Sequence, residues 1–278
     1  MKVKHSLANH SCHDENKLTL GVLVSAYAKS RDDVDFTTRC LDNADNFIVR
    51  VQGFEGNVFP QDINEKKRFI LADDVGVSKN RNELLKTSNS EIVVMLDDDC
   101  VVLDDFASEI LPFFKKNPNY NAVRFNAISK YKKIRQVKDK RRLKFLDNTD
   151  VGVMVFAFRR DFLLENSIFF NERIGPGTPY IQASEDTVFL KHYFRKGGKC
   201  GYINKPLIEI LNQKSTWVTE FNERRLTTVG GAYYFLYGRV WPIFLIRYYL
   251  KRKKEIAKPL SFVIKYFYAG VKMAKKIL

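Results

Sequence analysis

Residues 91–99 read EIVVMLDDD, an unbroken apolar run that ends in the three carboxylates Asp97, Asp98 and Asp99. A short run of this kind predicts a strand buried on both faces, as in a parallel sheet covered by helices. Open parallel sheets place their ligands beyond the carboxyl ends of the strands, which is where the acids fall. Three adjacent anions repel one another and invite a cation. Hard divalent ions such as Mg²⁺ or Mn²⁺ prefer oxygen ligands and bridge to substrate phosphates. The competing reading is a solvated acidic turn, with Asp104 and Asp105 sufficient to cap the next helix.

Working outward, Leu18–Ala26 (LTLGVLVSA) is a second buried-strand pattern, and Phe47–Val51 and Phe69–Ala72 are further strand candidates. Ser78–Ser88 reads as a helix with Ser78 as N-cap and Leu84 and Leu85 on its apolar side. Another helix is expected over Asp104–Lys115, ending before Asn117-Pro118 because proline disfavours helix at the preceding residue. An apolar segment at Val151–Phe158 and a helix from about Ser184 to Arg195 follow. Next come strands at Cys200–Ile203 and Leu207–Leu211, then a helical, aromatic and basic pattern from Phe221 onward. Alternation of strands and helices predicts an α/β fold, Rossmann-like, with a mainly parallel central sheet flanked by helices. The expected organisation is a polar tail (1–17), a catalytic domain (18–220) with halves 18–103 and 104–220, and a helical region (221–278).

Arg81 falls in the first turn of the Ser78 helix, where the helix dipole favours anions and a cation is mildly unfavourable. An anionic ligand docking nearby would justify it; an ordinary surface arginine is the alternative. Glu185 and Asp186 open the helix after Ser184, where acids stabilise a first turn. The preceding loop, Gly175-Pro176-Gly177-Thr178-Pro179, has glycines that permit close backbone approach to a ligand. A carboxylate at such a rim has the chemistry of a general base acting on a hydroxyl.

The net charge of +15 is local. Lys130–Lys144 carries nine Lys/Arg and one acid, and Val240–Leu278 carries ten and one, so the remainder is close to neutral. In the second stretch Trp241, Phe244, Tyr248 and Tyr249 surround Arg247, and Phe262, Ile264, Phe267 and Val271 lie among lysines. That pattern suits a helical hairpin on an anionic membrane surface; a helical pair packed on the core with solvated lysines is the alternative. The Lys130–Lys144 stretch reads either as a basic loop beside the site or as a solvated helix. The four cysteines are far apart with no CxxC pair, which fits a reducing compartment and argues against a disulfide framework or structural zinc. His5, His10, Cys12 and His13 cluster near the start, where an untidy terminus is favoured over a metal site. There is no signal-peptide run before Leu18. Arg239 and Arg247 interrupt the closest approach to a membrane span, Tyr233–Leu250. These features point to a cytoplasmic protein attached peripherally to the inner face of the cell membrane.

GVSKNRNELLKTSNSEIVVMLDDDCVVLDDF resembles the nucleotide-binding half of family 2 glycosyltransferases with the GT-A fold, in which an Asn-Arg-Asn-like helix start precedes a strand ending in Asp-x-Asp. VSAYAKSR (24–31) resembles the first strand and loop of that family, and GPGTPYIQASEDTVFL its acceptor-side loop and Glu-Asp motif. The resemblance runs from about Leu18 to Leu211. It implies Asp99 as metal ligand, with Asp97 near the ribose and the metal, and Asp98 beside them on the donor. It also implies that Arg81 contacts the nucleotide and that Ala26 and Tyr27 line the base pocket. Asp186 would be the catalytic base, with Glu185 beside it holding the acceptor or the loop. The implied reaction is inverting transfer from a nucleotide-sugar, a UDP-sugar first, with Mn²⁺ or Mg²⁺, to a saccharide or lipid-linked saccharide acceptor in cell-surface polysaccharide or glycolipid assembly.

The sequence departs from that pattern in places. The second strand lacks the acidic pair that reads the base and continues NFIVRVQGFEGN, with only Glu55 nearby. Asn212-Gln213-Lys214-Ser215 stands where many relatives carry a histidine. The Gln-x-x-Arg-Trp motif of processive synthases is missing, so one sugar per event is expected. A metal-dependent nucleotidyltransferase is the rival enzyme, but AYAKSRDDVD is not the glycine-rich triphosphate loop it needs. A dehalogenase-like phosphatase would want acids after the first strand, which ends in Ser25-Ala26-Tyr27. A basic membrane- or nucleic-acid-binding module is the non-enzymatic alternative. It leaves unexplained why the most acidic spot sits at a strand end, so no nucleic-acid partner is expected.

Overall fold

The computed structural model describes residues 18–131, 134, 136, 143–145, 151–179, 181–211 and 221–278. The 1–17 tail with its His/Cys cluster, most of the 130–144 basic stretch, and residues 212–215 lie outside the described residues.

The first half is built from β1 (Leu20–Tyr27), α1 (Arg31–Cys40), β2 (Phe47–Gln52), β3 (Lys67–Ala72), α2 (Val77–Thr87) and β4 (Ile92–Asp97). The second half holds β5 (Cys100–Val102), α3 (Phe106–Lys116), β6 (Ala122–Ile128), β7 (Phe156–Arg159), α4 (Arg160–Glu165), α5 (Glu185–Arg195) and β8 (Cys200–Ile210). One eight-stranded sheet runs through both halves in the order β3-β2-β1-β4-β7-β6-β8-β5. The first four strands are mutually parallel. Beyond β4 the sheet becomes mixed, with antiparallel pairs at β4–β7, β6–β7 and β5–β8 and one parallel pair at β6–β8. The mainly parallel character expected from the sequence thus belongs to the first half.

The core explains the sequence pattern. Ile92, Val93, Val94, Met95 and Leu96 are all 0% exposed, because β4 is central and covered on both faces. The same continuous core takes in Val22–Val24, Leu84, Leu85, Phe156–Phe158 and Phe189. The described cysteines, Cys40, Cys100 and Cys200, are buried free thiols. Burial pushes Cys40 up to about 11 and Cys200 up to about 12, which keeps both protonated and unreactive.

Several expectations need correction. Ser78 does not cap α2. The N-cap is Gly76, and the Ser78 hydroxyl instead donates to the carbonyl of Ile174 at 2.6 Å. Asp105 stands at the N-cap of α3 without a capping bond, because Lys205 holds its carboxylate at 2.7 Å. The two strands expected at 200–211 are one strand, β8, that continues through Pro206. The helical hairpin is three helices: α6 (Glu223–Tyr237), α7 (Trp241–Ile256) and α8 (Leu260–Lys276). Gly238 breaks the apolar run between α6 and α7.

These helices pack on the protein as well as on one another. Ala274 and Ile277 of the last turn meet Ile174 and Ile181 of the loop before α5, with Val188 of α5 alongside. The α6–α8 crossing depends on glycine. A Cβ on Gly270 would lie 1.9 Å from the carbonyl oxygen of Thr227, and one on Gly230 would lie 2.3 Å from that of Phe267. Both obstacles are backbone atoms and cannot swing aside. Gly270→Ala is therefore expected to lower stability by about 1–3 kcal/mol, the usual range for overpacking. Urea unfolding would show it as a lower midpoint at unchanged slope. A wild-type midpoint would mean that the crossing is not held at backbone contact.

Candidate active site

The β1–β4 register pairs Ser25 with Asp97, so both strands end together and deliver Tyr27 and the three aspartates to one edge. The Tyr27 N–H donates to Oδ2 of Asp98 at 3.1 Å and draws the two strand ends together. Burial raises Asp98 to about 6; the bond from Tyr27 works against that rise, and the neighbouring Asp97 and Asp99 add to it. Asp99 accepts the Leu211 N–H on its backbone carbonyl at 3.0 Å, which ties the acidic turn to the end of β8.

Helix α2 connects this edge to the rest of the site, and the Asn80-Arg81-Asn82 side chains each hold a different element. Asn80 donates to the Arg50 carbonyl on β2 at 3.0 Å. Asn82 donates to the carbonyl of Phe170 and to Glu172, both at 2.9 Å, and accepts the Phe170 N–H at 2.8 Å. Arg81, between them, points into the acids. Its Nη2 donates to Oδ1 of Asp97 at 2.7 Å and its Nη1 to Oδ1 of Asp186 at 2.7 Å, with Oε1 of Glu185 at 3.5 Å. Phe170 stacks near the guanidinium at 5.3 Å. Arg81 is 2% exposed and its Nε–H has no partner among the described residues.

Burial alone would weaken the charge on Arg81, but Asp186, Asp97 and Glu185 more than offset it and raise its pKa above the usual arginine value. One guanidinium cannot satisfy three carboxylates. Burial, then the neighbouring Asp186, brings Glu185 up to about 7. Burial likewise raises Asp186, against the pull of Arg81 and the Val153 N–H at 3.1 Å. The Asp186 side chain still keeps 16% exposure.

The structure brings together Tyr27, Arg81, Asp97, Asp98, Glu185 and Asp186, with Asp99 on the same turn. It changes the setting of three expected contributors. Arg81 faces carboxylates of its own chain rather than an open ligand space. Ala26 is 2% exposed within the core, while Tyr27 is 60% exposed. The glycines of the 175–179 loop pack against the start of α2: a Cβ on Gly177 would meet the Gly76 backbone at 2.9 Å, one on Gly175 would meet the Ser78 hydroxyl at 3.0 Å, and the Val77 N–H donates to the Pro176 carbonyl at 3.1 Å. That loop seats α2 and so positions Arg81.

A polar cluster that the sequence did not single out joins the end of β2 to the turn after β3. Arg50 grips Asp74 through both terminal nitrogens, at 2.8 and 3.0 Å, and Gln52 donates to the same carboxylate at 2.9 Å. These contacts hold Asp74 well below the usual carboxylate range. Asp73-Asp74 after the third strand was the available signal.

Among the described residues no three His, Cys, Asp or Glu side chains converge as a complete metal cage. Asp97 already has Oδ1 committed to Arg81.

Residues 60–183 match the family model Glycosyl transferase family 2. No curated relative matches the sequence. Among solved structures the chain resembles S. aureus TarS 1–349, with TM-score 0.56 and 13% identity over 94% of this chain and 89% of that one. The complex of the same protein with UDP-GlcNAc superposes with TM-score 0.57 at 13% identity over the same shares. At that identity the likeness speaks for the fold, which is GT-A. The match over 60–183 contains Arg81 and the Asp97–Asp99 turn and stops just before Glu185, and over those residues the chain is similar to the family 2 glycosyltransferases.

Proposed function

We propose that the protein transfers one sugar per event from a nucleoside diphosphate sugar, a UDP-sugar first, to an acceptor hydroxyl, with inversion at the anomeric carbon. The observation that carries this reading is the Arg81 clamp, a single guanidinium 2.7 Å from both Asp97 at the end of β4 and Asp186 in the first turn of α5. Asp186 takes the acceptor proton as that oxygen attacks the anomeric carbon, and the bond to the diphosphate breaks on the opposite side. Burial supports the role, since it moves Asp186 up towards the operating pH of a base. Glu185 lies beside it to hold the acceptor or the loop. Tyr27, Asp97 and Asp98 face the donor, with the Ala26 backbone behind them. Mn²⁺ or Mg²⁺ held by Asp99 and Asp97 would neutralise charge on the departing diphosphate. TarS has been crystallised with UDP and UDP-GlcNAc, which supports UDP as the first nucleotide to test. The acceptor is a saccharide or lipid-linked saccharide of cell-surface polysaccharide or glycolipid assembly, met on the cytoplasmic side of the cell membrane.

Thermal unfolding with UDP, GDP, dTDP or CMP, each with and without Mn²⁺ or Mg²⁺, tests the donor. A ligand at about a hundred times its Kd stabilises the native state by about 2.7 kcal/mol. One diphosphate is expected to raise the midpoint in the presence of metal, and Asp99→Ala is expected to lose that rise. No shift with any nucleotide would overturn the reading.

A further inference from the structure

Helix α7 buries Leu245, Tyr249 and Ile256 among the C-terminal helices. Its other side carries Ile243 (69% exposed), Ile246 (41%) and Leu250 (68%). The spacing of three and seven residues puts these side chains on one stripe, well away from the buried face. Arg247 is exposed beside the stripe, and Lys251, Lys253 and Lys254 are exposed at its C-terminal end. The acid of this helix, Glu255, pairs with Arg252 at 3.0 Å. No helix among the described residues is long and apolar enough to cross a membrane.

We propose that this face of α7 docks in the plane of a bilayer containing anionic lipid, with Ile243, Ile246 and Leu250 inserted at the acyl boundary and the flanking cations on headgroup phosphates. An aliphatic stripe bordered by cations matches an amphipathic interfacial helix in both chemistry and charge. A second copy of the chain would set this same cationic face against itself, because a two-fold interface uses the same patch on both sides. A nucleic acid would meet the lysines but would leave the isoleucines and leucine without a partner. The docking does not rest on the sugar-transfer reading, since it involves no residue of the active site.

The test is co-sedimentation of the full chain with vesicles of phosphatidylcholine alone or with about 30 mol% phosphatidylglycerol. The protein is expected to sediment with the anionic vesicles and to be released by about 0.5 M NaCl. Ile243→Glu/Ile246→Glu/Leu250→Glu is expected to weaken vesicle binding by about tenfold or more, with the thermal midpoint unchanged. Arg247→Glu/Lys251→Glu/Lys254→Glu should do the same, and it leaves the apolar stripe in place. Absence of wild-type binding to anionic vesicles, or wild-type binding by the triple isoleucine/leucine variant, would overturn the proposal. So would a wild-type dimer that ignores vesicles and becomes monomeric in that variant. None of these readouts uses donor or acceptor, so each is independent of the catalytic reading.

Discussion

Arg81→Ala is expected to lower stability by about 3–5 kcal/mol, the cost of removing one partner from a buried ionic cluster. Arg81 is the cation shared by Asp97, Glu185 and Asp186, and its side chain is 3% exposed. Without it, three carboxylates face one another, with Glu185 and Asp186 largely closed off from water and Asp97 a third exposed. Some of that repulsion is relieved by protonation, and Glu185, already raised to about 7, is the natural site. Arg81→Lys keeps the charge but not the two-armed geometry that reaches Asp97 and Asp186 together. The lysine variant is therefore expected to recover much of the stability and little of the turnover. Urea unfolding of both variants measures the first effect. Donor titration against kcat measures the second and separates two roles: a nucleotide-contacting arginine would show weaker donor binding in Arg81→Lys, whereas an arginine that positions the acids would show lower kcat at near wild-type donor affinity. The geometry favours the positioning role. Near wild-type stability in Arg81→Ala would show that the cluster does not depend on this cation.

Asp186→Asn is expected to reduce turnover by about 10²–10⁴-fold, the range for losing a general base, while the protein still folds and binds donor nucleotide. Asparagine keeps the shape, but both Asp186 oxygens now accept, from Arg81 at 2.7 Å and from the Val153 N–H at 3.1 Å. An amide nitrogen must face one of those donors, so a modest loss of stability should accompany the loss of rate. The pH dependence supplies a second check. An acid whose folded pKa is raised by burial loses its basic form as pH falls through that raised value. The acidic limb of kcat/KM should therefore lie above the ordinary aspartate pKa of about 4 and should vanish in the variant. Glu185→Gln is the comparison. If it lost more turnover than Asp186→Asn, the two roles would be exchanged.

Much of this architecture was legible as periodicity and position. The unbroken run Ile92–Leu96 implied a strand covered on both faces, and all five residues are fully buried. Three acids following such a run implied a site at the sheet edge, because the strand has to end there and the charges have to reach water. Elements whose local signal is weak were missed. Helix α1 begins at a Ser30–Asp33 capping box, a readable signal in a stretch to which no element was assigned. Strand β6 went unread because Arg124 and Asn126 interrupt its apolar pattern, yet both are buried. Strand β5 is too short to show a period.

The sequence by itself determined which segments are buried, where the acids fall at a strand end, and the order of motifs that resembles the family 2 glycosyltransferases. Such properties depend on neighbours in the chain, and hydrophobic burial selects for them residue by residue. Tertiary structure alone decided who meets whom. Arg81 and Asp186 lie 105 positions apart, and nothing local distinguishes an arginine that receives a nucleotide from one that clamps three acids of its own chain. The glycines at 175 and 177 looked suited to wrapping a ligand and instead seat α2. That choice depends on which backbone folds against them, a long-range packing outcome that no window of sequence contains.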